Sequence, residues 1–250
     1  MGWLDRLGRG LQKAGGDSSR SLESLRDLIV GDMVKFDFTS QAEISGKTFS
    51  VDALWTLSLG ENTVDQLHYA GLVDGAQQVR VRSISADEFE VAISVLPQEV
   101  LSVFKEKELA EMLESDDDYL YLLHRRKKAP DLYLSWTAAL YRQEAFRMAY
   151  RFDGGFRETP LPDAVDSGEI ACDYYRLVSD DRKHAIEIRV FDGGRTEVHF
   201  CIMLSMRKVE EMWPIQQEEV SRCKVPYNSI MFTFFRSLVG QQRFRSLSFQ

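Results

Sequence analysis

The stretch Ala185-Ile186-Glu187-Ile188-Arg189-Val190-Phe191-Asp192-Gly193-Gly194-Arg195-Thr196-Glu197-Val198-His199-Phe200-Cys201-Ile202-Met203-Leu204 decides the fold class. Its first part alternates apolar and polar residues with period two. One face of an extended chain then carries Ile186, Ile188 and Val190, and the other carries Glu187 and Arg189, the pattern of a half-buried strand. The second part repeats the alternation, with Val198, Phe200, Ile202 and Leu204 together. Asp192-Gly193-Gly194 sits between them, where a hairpin turn needs positive φ. Upstream, Ile170 to Val178 reads as a third strand, set off by the polar cluster Ser179-Asp180-Asp181-Arg182-Lys183, so the chain makes an antiparallel meander here. Burial of Ile186, Val198 and Phe200 is expected.

An earlier stretch echoes this meander. An offset of 107 residues lays Val79, Val81, Ile84, Val91, Ile93 and Val95 over Ile186, Ile188, Phe191, Val198, Phe200 and Ile202. Ser85-Ala86-Asp87-Glu88 then stands at the position of the Gly-Gly turn. A slightly shorter offset sets Leu67-His68-Tyr69 over Asp173-Tyr174-Tyr175. Agreement of strand, turn and strand points to an internal repeat, although any two hairpins share their alternation.

Working outward, residues 32–95 read as five short strands: Met33 to Phe38, Thr48 to Leu59, Val64 to Val73, Gln77 to Ile84 and Phe89 to Val95, separated by Gly, Asn and Asp turns. Pro97 opens a helical stretch with Leu101, Phe104, Leu109, Met112 and Leu113 as candidate buried residues. A short strand at residues 119–123 and a basic loop follow. A second β stretch runs from Tyr133 to Met206, and its Phe152-Asp153-Gly154-Gly155 repeats the turn chemistry of Phe191-Asp192-Gly193-Gly194. The expected architecture is mainly β within the α+β class: two tandem antiparallel β-meander modules, each a small barrel or sandwich, with a helical connector and helical termini. The corresponding divisions are 1–31, 32–96, 97–132, 133–206 and 207–250.

At the start, Trp3, Leu4, Leu7 and Leu11 fall on one helical face opposite Asp5, Arg6, Arg9 and Lys13, an amphipathic segment weakened by Gly8 and Gly10. A second short helix is expected over Ser21 to Ile29, ended by Gly31. Near the end, Asn228 would cap a helix carrying Ile230, Met231, Phe234, Phe235 and Leu238.

Composition narrows the function classes. The 250 residues are 44% hydrophobic and 28% charged, which suits a globular chain with a sizeable core. A net charge of −8 and a pI near 5.2 argue against general nucleic-acid binding. No stretch reaches the roughly 18 to 20 apolar residues of a membrane-spanning helix, and no secretory leader pattern precedes the fold. Cys172, Cys201 and Cys223 lack CxxC spacing, so reduced thiols in a cytoplasmic setting are expected, with contact at the periphery of the inner membrane left open.

The motifs of catalysis are missing: there is no GxSxG, HExxH or Walker sequence, and the Gly10 to Gly15 spacing lacks the Lys-Ser/Thr of a phosphate loop. Asp116-Asp117-Asp118 reads as a solvated helix end. His199 and Cys201 share a strand face and could form half a zinc site, but His68, His124 and His184 lie in other elements, so no metal and no cofactor are expected. Trp55, Tyr69, Trp136, Tyr174 and Tyr175 could line a pocket or simply fill a core. The run Arg125-Arg126-Lys127-Lys128 could meet phosphate, anionic lipid or an acidic partner.

Gly31-Asp32-Met33-Val34 opening one β module, with Asp173-Tyr174-Tyr175, Ile186-Glu187-Ile188 and the Asp192-Gly193-Gly194 hairpin in the other, resembles an uncharacterised bacterial family of tandem domains of unknown function. Genes of that family often neighbour those of phage-shock-A-like membrane-stress proteins and polyamine-related genes. The resemblance therefore implies an accessory role beside a membrane-remodelling scaffold, and it carries over no site residue. The functional expectation is a noncatalytic cytosolic adaptor binding a protein partner, with the membrane surface as one setting. Its contact residues would be Trp3, Leu4, Leu7, Leu11, Arg125, Arg126, Lys127 and Lys128. The alternative is a small-ligand-binding protein or an unrecognised enzyme with a pocket between the modules.

Overall fold

The computed structural model describes residues 20–59, 66–114, 121–157, 160–161 and 170–215. Segments 1–19 and 216–250, with the expected amphipathic start and the expected helix after Asn228, lie outside the described residues.

The described chain is mainly β. Its strands are β1 (Met33–Phe36), β2 (Thr48–Ser58), β3 (Gln66–Asp74), β4 (Gln77–Ser83), β5 (Glu88–Val95), β6 (Leu122–His124), β7 (Leu140–Asp153), β8 (Ile170–Ser179), β9 (His184–Phe191), β10 (Thr196–Ser205) and β11 (Val209–Trp213). Two helices, α1 (Pro97–Val103) and α2 (Glu106–Glu114), link the two meanders. The expected helix at Ser21 to Ile29 is only a 3-10 turn, Leu25–Asp27. Its Ser24 hydroxyl accepts from the Arg26 N–H, and the Asp27 carboxylate accepts from the Ser24 N–H.

All eleven strands form one antiparallel sheet in the order β11-β1-β2-β3-β4-β5-β10-β9-β8-β7-β6. The first meander runs β1 to β5 and the second β6 to β10, and they join through β5 and β10 so that each strand has a counterpart at the mirrored place in the order. The two longest strands play the same part in each half. A bulge between Val51 and Ala53 bends β2, whose first residues pair with β1 and whose last four pair with β7. A bulge between Gln143 and Ala145 bends β7, which pairs first with β6 and then with β2.

The β2–β7 pairing closes a ring of eight strands, β2-β3-β4-β5-β10-β9-β8-β7. At this strand number a barrel is just wide enough for side chains to fill it. Tyr69 on β3 donates its hydroxyl to Glu187 on β9, which lies across the ring. The face carrying both is therefore the inside.

The apolar stripe read from the sequence faces outward. Ile186, Val198 and Phe200 are buried there in one apolar cluster with Phe89, Val91, Val81 and Leu177, and Phe89 stacks on Phe36 of β1. Phe200 packs edge-on against Phe104 and Tyr133. The sequence suggested that Glu187 and Arg189, on the other face, meet water. They are instead 0% and 1% exposed, because ring closure encloses that face.

Other local expectations divide. Gly193 and Gly194 both take φ of +81°, as the hairpin requires. Phe152-Asp153-Gly154-Gly155 makes no matching tight hairpin: Gly154 bonds to the Leu54 carbonyl, and β8 begins only at Ile170. Phe104, Leu109 and Met112 are buried as expected, but Leu101 is 39% exposed, and the missed Val100 is buried in its place. Asp32 ties the sheet edge together. Its carboxylate accepts from the Ile29 and Ile215 N–H groups and from the Arg20 guanidinium.

Candidate functional site

Inside the ring, β4 contributes Arg80 and Arg82, β5 Glu90, β8 Tyr174 and Arg176, β9 Glu187 and Arg189, and β10 His199 and Cys201. Each follows from the period-two alternation that puts its apolar neighbours outside. Arg80 donates to Glu187 at 2.8 Å, and Arg189 lies 3.2 Å from the same carboxylate. Arg82 and Arg176 converge on one oxygen of Glu90, at 3.0 and 2.6 Å. The Arg80 guanidinium also stacks over the Tyr69 ring, 4.7 Å from its centroid.

Positions 80 and 187 are separated by the repeat offset and meet within the ring. Identical residues at such equivalent positions would bring like charges together, whereas Arg in one copy and Glu in the other makes a pair. The structure also corrects one part of the repeat alignment. Ala70 faces Val81 as Tyr175 faces Ile188, so the counterpart of Tyr69 is Tyr174 and not Tyr175. A slip of one residue reverses the face: Tyr69 and Tyr174 point inward, while Tyr175 belongs to the outer core.

Burial by itself would raise the carboxyl pKa values. Arg82 and Arg176 outweigh it at Glu90 and hold that group at about 2, and Arg80 and Arg189 hold Glu187 well below the usual range. Burial, reinforced by Arg80 and Arg189, pushes His199 well below its ordinary value, which keeps it neutral. Burial raises Cys172 to about 11 and Cys201 to about 12, so neither is a ready thiolate nucleophile.

Among the described residues, Glu90, Glu187 and Cys201 could bring ligand atoms within 4.8 Å of one another. Four guanidiniums surround them, and that charge environment disfavours a cation at the trio. His199 and Cys201 do share the inward face, but His68 bonds to Thr56, His124 lies beside Glu108, and His184 opens β9 beside Asp181. The structure does not gather the histidines.

The basic run divides in two. Arg125 donates to the Thr137 carbonyl and Arg126 to the Phe104 carbonyl, so both pin local structure, while Lys127 and Lys128 are exposed. Trp3, Leu4, Leu7 and Leu11 lie outside the described residues. Of the aromatic candidates, Trp55, Tyr69 and Tyr174 face the ring interior, and Trp136 is outer core with its indole N–H donating to Glu43.

A groove lies outside the ring, where α1 and α2 cross the outer face of β9 and β10. Val100, Leu101, Leu109, Ala110, Leu113 and Val198 give it an almost wholly apolar lining around about 260 Å³. Residues 97–114 carry five glutamates and two lysines, a local charge of −3.

Sequence analysis singled out neither the groove nor the buried Arg80, Arg82, Glu90 and Arg176. The signal for the latter was available: charged residues fall between apolar ones in both copies of the repeat, which places them on one common face. Comparison with family models, curated proteins and solved structures finds no match to the chain. Among the described residues, no helix is long and apolar enough to cross a membrane.

Proposed function

We propose that this protein is a noncatalytic adaptor that holds an amphipathic helix of a protein partner in the groove of α1, α2 and the outer face of β9 and β10. The observation that carries the reading is an apolar groove beside an acidic helix pair. An apolar stripe set at helical spacing fits such a groove. The local charge of −3 selects a stripe flanked by lysine and arginine and disfavours anionic lipid. That preference favours a protein partner over a membrane surface at this place. The engaged guanidiniums and raised thiols of the interior offer no activated nucleophile, which also supports a binding role.

A labelled amphipathic peptide of leucine and lysine tests the reading by fluorescence anisotropy. Saturable binding that weakens with salt is expected, with at least a tenfold loss in Leu101→Asp, because an exposed side chain can change without unfolding the core. Binding that is absent, or unchanged in Leu101→Asp, refutes the groove. Flotation with anionic vesicles that is lost in Leu101→Asp would assign the groove to lipid instead.

A further inference from the structure

We propose that the ring interior binds the oxyanion head of a small organic molecule, a carboxylate or a phosphate, in the cavity beside Arg80, Trp55 and His199. Three independent observations converge on this site.

The first is charge. Arg80, Arg82, Arg176 and Arg189 face the fully buried Glu90 and Glu187. Glu197 at the mouth, 27% exposed, lies 3.5 Å from Arg189 and offsets one more charge. The four guanidiniums thus face only two fully buried carboxylates, and the acids that balance the other two charges, Glu197 and the exposed Asp52 that borders the cavity, lie toward solvent. An isolated buried charge is costly, and a bound anion removes that cost.

The second is hydrogen bonding. Arg80 Nε, Arg82 Nε and Trp55 Nε1 are buried N–H donors without a hydrogen bond, whereas Arg189 Nε and Arg176 Nη1 lie 3.2 and 3.9 Å from Glu187. Among the described inward groups, the only buried carboxylate oxygen in the same condition is Glu90 Oε1. Tyr174 Oη and His199 Nδ1 are also unpaired, but each unpaired buried donor costs about 1–3 kcal/mol, and Arg80 Nε and Trp55 Nε1 beside the cavity have no acceptor. An oxyanion supplies acceptors and negative charge together, whereas water supplies acceptors alone.

The third is room. A cavity of about 160 Å³ borders Arg80, Trp55, His199 and Ser94, with Ala53, Gly71 and Ala92 as its small-residue wall and with Asp52 and Gln78 on its exposed side. A Cβ at Gly71 would come within 3.1 Å of the Trp55 ring, so the absence of a side chain there sets the shape of the wall. An apolar cavity of about 150 Å³ accepts a benzene ring. The site therefore suits a head group on Arg80 and the Trp55 N–H with a small apolar body against Ala53, Gly71 and Ala92. Neutral His199 can accept or donate there, according to its tautomer.

The test uses the full-length protein with benzoate, inorganic phosphate and neutral benzamide as probes, read by tryptophan fluorescence and thermal shift. Saturable responses to benzoate are expected, with benzamide at least tenfold weaker. A phosphate response would place the head group alone in the site. Trp55→Phe keeps the ring packing and removes the donor, so benzoate affinity should fall tenfold or more. Ala53→Leu fills the cavity and should abolish the response while the unliganded protein still melts cooperatively. Equal responses to benzoate and benzamide, no response to any probe, or responses untouched in both variants would overturn the proposal.

Discussion

Replacing Glu187 by Gln removes one negative charge from the ring at almost constant volume. Glu187 is 0% exposed, and its carboxylate meets Arg80 at 2.8 Å, Arg189 at 3.2 Å and the Tyr69 hydroxyl at 3.0 Å. All three partners are donors. The amide of Gln can keep its oxygen on the Arg80 and Arg189 side with its NH₂ toward the Tyr69 hydroxyl, which can turn to accept, so the loss is that of the negative charge between two buried guanidiniums. Breaking a buried pair by removing one partner typically costs about 3–5 kcal/mol, because the opposite charge stays buried. For a chain of this size each kcal/mol lowers Tm by about 2–4 °C, so a fall of roughly 6–20 °C is expected by calorimetry, with a matching shift in the urea midpoint. Glu197→Gln, at the mouth, is the control and should cost no more than about 1 kcal/mol. A Glu187→Gln protein as stable as the Glu197→Gln control would refute the view that the interior is held by paired charges.

Other perturbations follow from the same geometry. Phe200→Ala should cost about 3–5 kcal/mol as a large-to-small change in the outer core, and an unchanged denaturation midpoint would contradict its placement between Phe104 and Tyr133. Stability should fall as pH drops below about 6.5, because His199, His68 and His184 all have folded pKa values below that ordinary value, so the unfolded chain binds protons first. A second, steeper loss should begin below about pH 4.5, as the unfolded chain takes up the protons that Glu90 and Glu187 resist; His199→Gln should flatten the first limb only, and equal slopes in both proteins would contradict the assignment. Gly31→Ala should destabilise the protein, because Gly31 has φ of +95°, which an L side chain rarely adopts, and an added Cβ would also displace the end of the Ile215 side chain; an unaltered Tm would sink this reading.

The strands and their outer face were legible because a period-two pattern survives wherever one face is uniformly apolar. Ile186, Ile188, Val198 and Phe200 reveal it directly, and the Gly193-Gly194 turn fixes their register. What lay on the opposite face was not legible from any one strand. Glu187 and Arg189 look alike whether that face meets water or the inside of a ring, and closure depends on four residue pairs between β2 and β7, far apart in sequence. The repeat offset held the missing clue, since it makes Arg80 the counterpart of Glu187 and Arg82 that of Arg189. The one-residue slip at Tyr69 shows why weak alignments mislead in sheets. The groove was illegible for another reason: the apolar pattern puts Leu101 on the buried side of one helical stretch, whereas the break at Phe104 divides that stretch into two helices and leaves Leu101 on their open side.

The interior exists only because β2 pairs with β7, and cross-linking measures that pairing directly. Ser58 and Tyr150 are register partners, and facing residues of antiparallel strands lie about 4.5–5.5 Å apart at Cα, within the span of a disulfide. Ser58→Cys/Tyr150→Cys, made in a Cys223→Ser background, should oxidise under mild conditions to a single 58–150 cross-link seen by peptide mass spectrometry. Ser58→Cys/Arg142→Cys should stay reduced, since Arg142 pairs with Leu122 on β6. A 58–150 pair that stays reduced, or forms no faster than the 58–142 control, would mean that the ring is open and its charged face meets solvent.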